Sequence, residues 1–298
     1  MAHTLQSRPK LACEIAPDRI IAARAADSRQ VLELCSTSEL GPGCVVPDLT
    51  ESNLRQPTTV INALRETLEG LGARSRDVTA IIPDAAVRVA LLDFETLPDK
   101  RDEAESVVRF RLRKSLPFDV DKASVSYQAQ SSNGTVRVVA AVALRSVVEE
   151  YERAFREAGF APGVVMPSML AALGSAPADR GTLVVKVDAR TTSIAILDQH
   201  QLLLFRTLEN ARGVTISGEQ LAEDIYPSLV FFQDTYSTNI EQIFVSGISD
   251  VAAVSVALQS QTGAEVKELV KASQLGLGGG SIPKWRMGGT VGALLSSN

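Results

Sequence analysis

Two histidines, three cysteines and one tryptophan are all that this 298-residue chain holds of those types, and each scarcity closes a class of function. Cys13, Cys35 and Cys44 form no CxxC spacing, and neither His3 nor His200 lies close to any of them in sequence. A zinc site or a cysteine-protease dyad is therefore not expected. Cys13 and Cys35 read as small apolar strand residues, as buried cysteines commonly behave. Positive charge is also short. With 30 basic against 35 acidic residues the net charge is -5, which argues against nonspecific binding of nucleic acid, since displacing counterions needs a basic surface. Long apolar runs are missing too. The longest, Val138 to Leu144, falls far short of a membrane span, and MAHTLQSRPK lacks the apolar stretch of a signal peptide. A cytoplasmic protein is expected.

The chain does have enough apolar material for a substantial core: 45% of its residues are hydrophobic and 22% charged, a globular rather than a disordered balance. Its length exceeds one average domain, so two lobes or a subdivided domain are expected.

The sequence repeats itself. LACEIAPDRIIAARAADSRQVLELC (11 to 35) parses as strand, tight turn, strand, short loop and strand, and GTLVVKVDARTTSIAILDQHQLLLFRTL (181 to 208) parses the same way, with Glu14 and Lys186 in equivalent places. The spacing is too long for a solenoid and indicates two related lobes facing each other. Each meander leads into a helix. One is predicted over 57 to 71, from Val60, Leu64, Leu68 and Leu71, with Gly70 and Gly72 as stop signals; the other covers 217 to 236, from Leu221, Ile225, Leu229 and Phe232. Pro227 is expected to kink or split the second.

Between the lobes runs a segment of a different pattern. Residues 78 to 98 read as two strands, 101 to 118 as a helix, ASVSYQAQ and TVRVVAAVAL as strands, and 145 to 160 as an amphipathic helix. These make an α+β insertion, with candidate boundaries at Ser75 to Asp77 and at Gly174 to Gly181.

In order along the chain, the opening meander, FRLRKSLPF followed by VSYQAQ, VVAAVALRSVVEEYERAFREAGFAPGVV, the second meander, GEQLAEDI, IFVSGIS and the final VGALL resemble the PilM family of type IV pilus assembly proteins. The likeness spans nearly the whole chain. The cell-division protein FtsA, the cytoplasmic part of the secretion protein GspL and the sugar kinases resemble the same general fold. FtsA would be expected to finish in an amphipathic membrane-binding helix, and GspL to continue into a membrane span, where this sequence ends at GALLSSN. The resemblance implies an α/β, actin-like (ribonuclease H-like) two-lobed fold with an inserted α+β subdomain in the first lobe. It divides the chain into residues 1–77 as the first lobe, completed by the C-terminal helix, 78–162 as the insertion, and 163–298 as the second lobe. It also implies an adaptor at the inner face of the inner membrane. Such an adaptor binds the cytoplasmic N-terminal peptide of a PilN-like membrane protein in a groove between first lobe and insertion, and couples it to the pilus motor ATPase.

Members of the actin-like fold hold ATP and magnesium by glycine-containing turns, because a side chain would obstruct the approach of backbone N–H groups to the phosphates. Here the family's DIGSSSVK turn is replaced by EIAPDRII, so that Glu14 takes the aspartate's place, Ala16 the glycine's, and Pro17 removes a donor. The DIGASTT turn becomes KVDARTT: Lys186 stands for aspartate and Asp188 for glycine, while Thr191 and Thr192 are kept. A charged lysine has no lone pair to give magnesium. Lys186 and Arg190 could hold phosphate, but a buried charge needs a partner, so a Lys186–Glu14 pair across an empty cleft is the favoured reading. In VSGISD the family's LSGGGA keeps only Ser246 and Gly247. Pro17 apart, these nine residues outline a degenerate nucleotide cleft without catalytic or metal-ligating groups. No cofactor is expected, ATP with magnesium entering only if the cleft is still competent. The alternatives are an active actin-like ATPase, for which Glu14 is the obvious acid, and a filament-forming cytoskeletal protein.

Three other stretches carry expectations. GLGGGS (276 to 281) lacks the GK[ST] ending of a phosphate loop and reads as a flexible loop before the terminal helix. Arg109, Arg111, Arg113 and Lys114 read as a solvated helix face, or as a contact for an acidic partner or anionic lipid headgroups. Leu91, Leu92, Phe94, Leu97, Leu116, Pro117 and Phe118 are placed near the peptide groove, where Phe118→Asp or Leu97→Asp is expected to abolish binding without unfolding the chain.

Overall fold

A computed structural model describes residues 8–132, 134–236, 238–278 and 282–295. His3 and residues 279–281 of the GLGGGS stretch lie outside this set.

Nearly continuous apolar runs, buried on both faces in the first two strands, open the chain as an antiparallel meander, β1 (Leu11–Ile15), β2 (Arg19–Ala25) and β3 (Leu32–Glu39). Proline at the first turn, where its missing N–H costs nothing, starts α1 (Pro57–Glu69), whose Val60, Leu64 and Leu68 stripe is buried. The chain returns as β4 (Asp77–Ile82), parallel to β1. Next come β5 (Arg88–Phe94), α2 (Arg101–Leu112), β6 (Ala123–Ser132) and β7 (Thr135–Leu144). These strands form a separate three-stranded sheet in the order β5-β7-β6, covered on one face by α2. The predicted helix over 101 to 118 ends early, because Pro117 disfavours helix in the residue before it and Leu116 and Phe118 turn back onto the core beneath α2.

Then α3 (Arg145–Glu157) packs on α1 through a face that includes Val147, Tyr151 and Phe155, and β8 (Ala161–Pro167) joins β4 in parallel. β4 and β8 are therefore strands of the first lobe. The insertion begins after β4 rather than at residue 78, and the stretch after β7 belongs to the first lobe again, because main-chain pairing ties both strands to β1.

A short α4 (Ser168–Ala172) leads to the second meander, β9 (Thr182–Val187), β10 (Thr191–Asp198) and β11 (Gln201–Glu209). It is followed by α5 (Gly218–Tyr236), β12 (Gln242–Ser246), α6 (Val251–Thr262) and β13 (Glu265–Glu268). The sheet order β11-β10-β9-β12-β13 copies the β3-β2-β1-β4-β8 order of the first lobe, so the repeat in the sequence is a repeat of topology. Helix α5 runs through Pro227 unbroken. Both Pro227 and Glu223, whose carbonyl the missing N–H would have met, are exposed, and water can take that bond.

Instead of a flexible loop, residues 275–278 form β14 (Leu275–Gly278), which adds to β3 as the sixth strand of the first sheet. The last helix, α7 (Gly288–Leu295), then lies against the first sheet through Met287, Val291 and Leu294. Met169 and Ala172 of α4 pack on the second sheet beside Val184, Ala195 and Phe244. Helices α4 and α7 touch each other closely at Gly292, where a Cβ would meet the backbone of Ala171 and Ala172. This helix pair, packed between the sheets, brings the ends of β1 and β9 to one place. The structure contains, among the described residues, no helix long and apolar enough to cross a membrane.

Candidate functional site

Glu14 and Lys186 are each the next-to-last residue of a central strand, paired with Ile21 and Ile81 in one sheet and with Ser193 and Ser246 in the other. The turns that follow are built alike: Ala16 N–H donates to Arg19 O at 2.8 Å, and Asp188 N–H to Thr191 O at 2.7 Å. Both turns end at the junction of the lobes, and their side chains meet there. Lys186 Nζ lies 3.2 Å from Glu14 Oε1 and 3.8 Å from Asp188 Oδ2. All three residues are buried. Ser168, at the start of α4, donates its hydroxyl to Glu14 Oε1.

Two members of this cluster were not singled out in the sequence. Asp84, in the turn just after β4, accepts from Met169 N–H at 2.8 Å and from the Ser193 hydroxyl at 2.7 Å, tying first lobe, α4 and second lobe together. Arg19, only 2% exposed, pairs with Asp18 at 2.7 Å. A clue to Asp84 was present, since IIPDAA ends a strand parallel and next to that of Glu14, at the same end of the sheet. Arg19 occupies the place that Thr191 holds in the second repeat.

The charges largely neutralise one another. Burial by itself would lower the Lys186 pKa, but Glu14, Asp188 and Asp84 outweigh that and hold it above an ordinary lysine. Burial pushes the Asp188 carboxyl up, and Lys186, Arg19 and its bond from Ala189 N–H bring it below the usual carboxylate range. For Asp84 burial prevails, and its pKa is raised. Among the described residues Glu14 Oε2 and Lys186 Nζ find no hydrogen-bond partner despite the ion pair.

The C-terminal segment closes over these groups. Trp285 O accepts from Gly247 N–H at 2.7 Å and from Ser246 Oγ at 3.1 Å. A Cβ on Gly289 would lie 2.5 Å from Glu14 Oε2, and one on Gly288 2.5 Å from Ser246 Oγ. Four backbone donors of the three turns are thus engaged internally: Ala16 and Asp188 across their turns, Ala189 by the Asp188 side chain, Gly247 by Trp285. Thr191 and Thr192 are buried, Thr192 Oγ1 accepting from Asn210 Nδ2 at 3.3 Å. Arg190 is exposed and stands apart from the ion pairs. Beside the cluster a cleft of about 500 Å³, lined by Asp84, Arg88, Thr191, Arg206 and Glu209 among others, carries both signs of charge.

The fold divides the residues expected at the peptide groove. Leu92, Phe94, Leu97, Leu116 and Phe118 pack on the insertion's own core of Val108, Leu112, Val138 and Val142. Leu91, on the opposite face of β5, packs toward the second lobe, and Pro117 is exposed. The chain alternates faces along β5, which spacing alone did not assign. An open apolar groove of about 140 Å³ does lie between first lobe and insertion. Its walls are Ser124 and Ser126 of β6, Ala141 of β7, Val148 of α3, and Val165 and Met166 of β8. β6 and β8 are both sheet edges.

No protein-family model matches the sequence, and no curated protein matches it. Solved structures do. The chain has the actin-like ATPase fold: a Bacteroides thetaiotaomicron protein described by that fold aligns over 86% of this chain and 89% of its own, at 13% identity and a TM-score of 0.54. A structure of the PilM-PilN type IV pilus biogenesis complex aligns over 97% of both chains, at 18% identity and a TM-score of 0.79. The cytoplasmic domain of EpsL, an inner-membrane component of the Vibrio cholerae type II secretion system, aligns over 79% and 80% at 12% identity, with a TM-score of 0.51.

Proposed function

We propose that this protein is a cytoplasmic adaptor of a type IV pilus or related assembly machine. It binds the N-terminal cytoplasmic peptide of a PilN-like inner-membrane protein and keeps only a degenerate nucleotide cleft. The observation that carries the binding role is the open groove between the β6 and β8 edges, at a site where an extended peptide can add main-chain hydrogen bonds and set side chains against Val148 and Val165. The end-to-end likeness to a chain of the PilM-PilN complex supports the same reading. Binding such a peptide holds the protein at the inner face of the membrane, in reach of the pilus motor ATPase.

The residues of the cleft do not fit magnesium ATP. The lysine ammonium stands where a metal-facing carboxylate would be needed, Asp188 adds negative charge where a polyanion would sit, and the N–H groups of Ala16, Asp188, Ala189 and Gly247 already have acceptors. No hydrolytic step is assigned to the protein. The ion pair takes over the work of joining the lobes that a bound nucleotide would otherwise do.

The test is titration with a synthetic peptide copied from the cytoplasmic N-terminus of a PilN-like inner-membrane protein. Saturable binding without nucleotide is expected. Absence of binding, or binding only once ATP is added, would contradict the proposal.

A further inference from the structure

We propose that the outer face of α2 is a docking surface for an anionic lipid bilayer. The helix covers the three-stranded sheet with Ala104, Val108 and Leu112. On its other side Phe110 stands 70% exposed, an unusual place for a large apolar ring. Its neighbours Arg111, Arg113 and Lys114 are exposed as well. Three other cations of the insertion are paired, Lys100 with Glu103, Arg109 with Glu105 and Arg137 with Asp93, whereas Arg88, Arg101 and Lys122 stand singly and without an exposed aromatic neighbour in the chain. Arg111, Arg113 and Lys114 take part in no ion pair among the described residues, Arg111 lying over the Phe94 ring at 5.5 Å.

The local charge opposes that of the molecule. Residues 109 to 122 hold five basic side chains against Asp119 and Asp121, in a chain of net charge -5. The acids of α2, Asp102, Glu103 and Glu105, sit in its first turns, so the cationic character is confined to its C-terminal half. A single aromatic ring among unpaired cations suits the headgroup layer, where guanidinium and ammonium groups meet lipid phosphates and the ring enters the acyl boundary. An acidic protein would engage the same cations but gives no reason for Phe110 to be bare. The surface is on the face of the sheet opposite Ser124 and Ser126, which line the peptide groove, so peptide and bilayer can be bound together.

The experiment is sedimentation of the full chain, without peptide, with phosphatidylcholine vesicles and with vesicles containing phosphatidylglycerol. The protein is expected to sediment with the second and not the first, less so as salt rises. Arg113→Gln and Lys114→Gln should each weaken partitioning roughly fivefold, and Phe110→Ser should weaken it further. Phe110→Trp should show a blue shift of emission with anionic vesicles only. Because no peptide is present, the outcome is independent of the pilus reading. Equal partitioning of wild type and these exposed-site variants would overturn the proposal. So would capture on polyglutamate without vesicle binding, which would assign the face to an acidic protein.

Discussion

Lys186 Nζ lies 3.2 Å from Glu14 Oε1, and the two residues hold the same place in the two halves of an internally repeated fold. The halves are joined at their centre by a buried ion pair whose members come from opposite lobes. Removing one partner leaves an uncompensated charge, which costs far more than the pair contributes. Lys186→Ala or Glu14→Ala should therefore destabilise the protein by about 3–5 kcal/mol. The double change Glu14→Ala with Lys186→Ala should cost less than the two single changes summed. Urea denaturation of the four proteins measures this, and additive losses would mean that the pair does not couple the lobes.

The same cluster sets the pH limits of stability. Asp188 is held below the usual carboxylate range, so its contribution is complete above its unfolded value, roughly pH 4, and is lost as pH falls through the lower folded value. Lys186 is held above an ordinary lysine, so its contribution is complete below roughly pH 10 and disappears as pH rises through the folded value. Asp188→Asn should flatten the acid side of a melting-temperature profile and leave the alkaline side in place.

Peptide binding should depend on the groove lining and not on the residues under α2. Ser126→Trp, at an exposed edge position of the groove, should weaken binding of the PilN-like peptide at least about tenfold, the equivalent of some 1.4 kcal/mol, with an unchanged melting temperature. Phe118→Asp, by contrast, places a charge against the insertion's core and should act through stability. Anisotropy with a labelled peptide, run beside thermal melts, separates the two.

At Gly247 the backbone has φ +79°, and a Cβ would run into the Val187 carbonyl. Gly247→Ala should destabilise by more than about 3 kcal/mol. Gly163→Ala, on β8 with nothing within 4 Å of the added carbon, should be nearly neutral. Denaturation midpoints decide the comparison.

How much of this could be read beforehand follows the range of the interactions. The two meanders and the Glu14–Lys186 equivalence were legible because short apolar strand runs and tight turns are local, and a repeated local pattern survives in sequence. Asp84 and Arg19 were not, since Met169 and Ser193, which bond Asp84, and the Asp188 carboxylate, which acts on Arg19, are brought up by the lobes closing. The limits of the insertion are not legible at β4 and β8, whose allegiance is decided by parallel main-chain pairing across long separations. Likewise the glycine-rich β14 offers no side-chain pattern, and only its pairing with β3 makes it a strand.

The central claim, that an ion pair has replaced the nucleotide at the lobe junction, is tested most directly by isothermal titration of the protein with magnesium ATP. The account predicts no saturable heat at micromolar or submillimolar nucleotide and no phosphate release. A micromolar dissociation constant with magnesium would contradict it, and turnover would require Lys186 and Glu14 to serve ATP rather than each other.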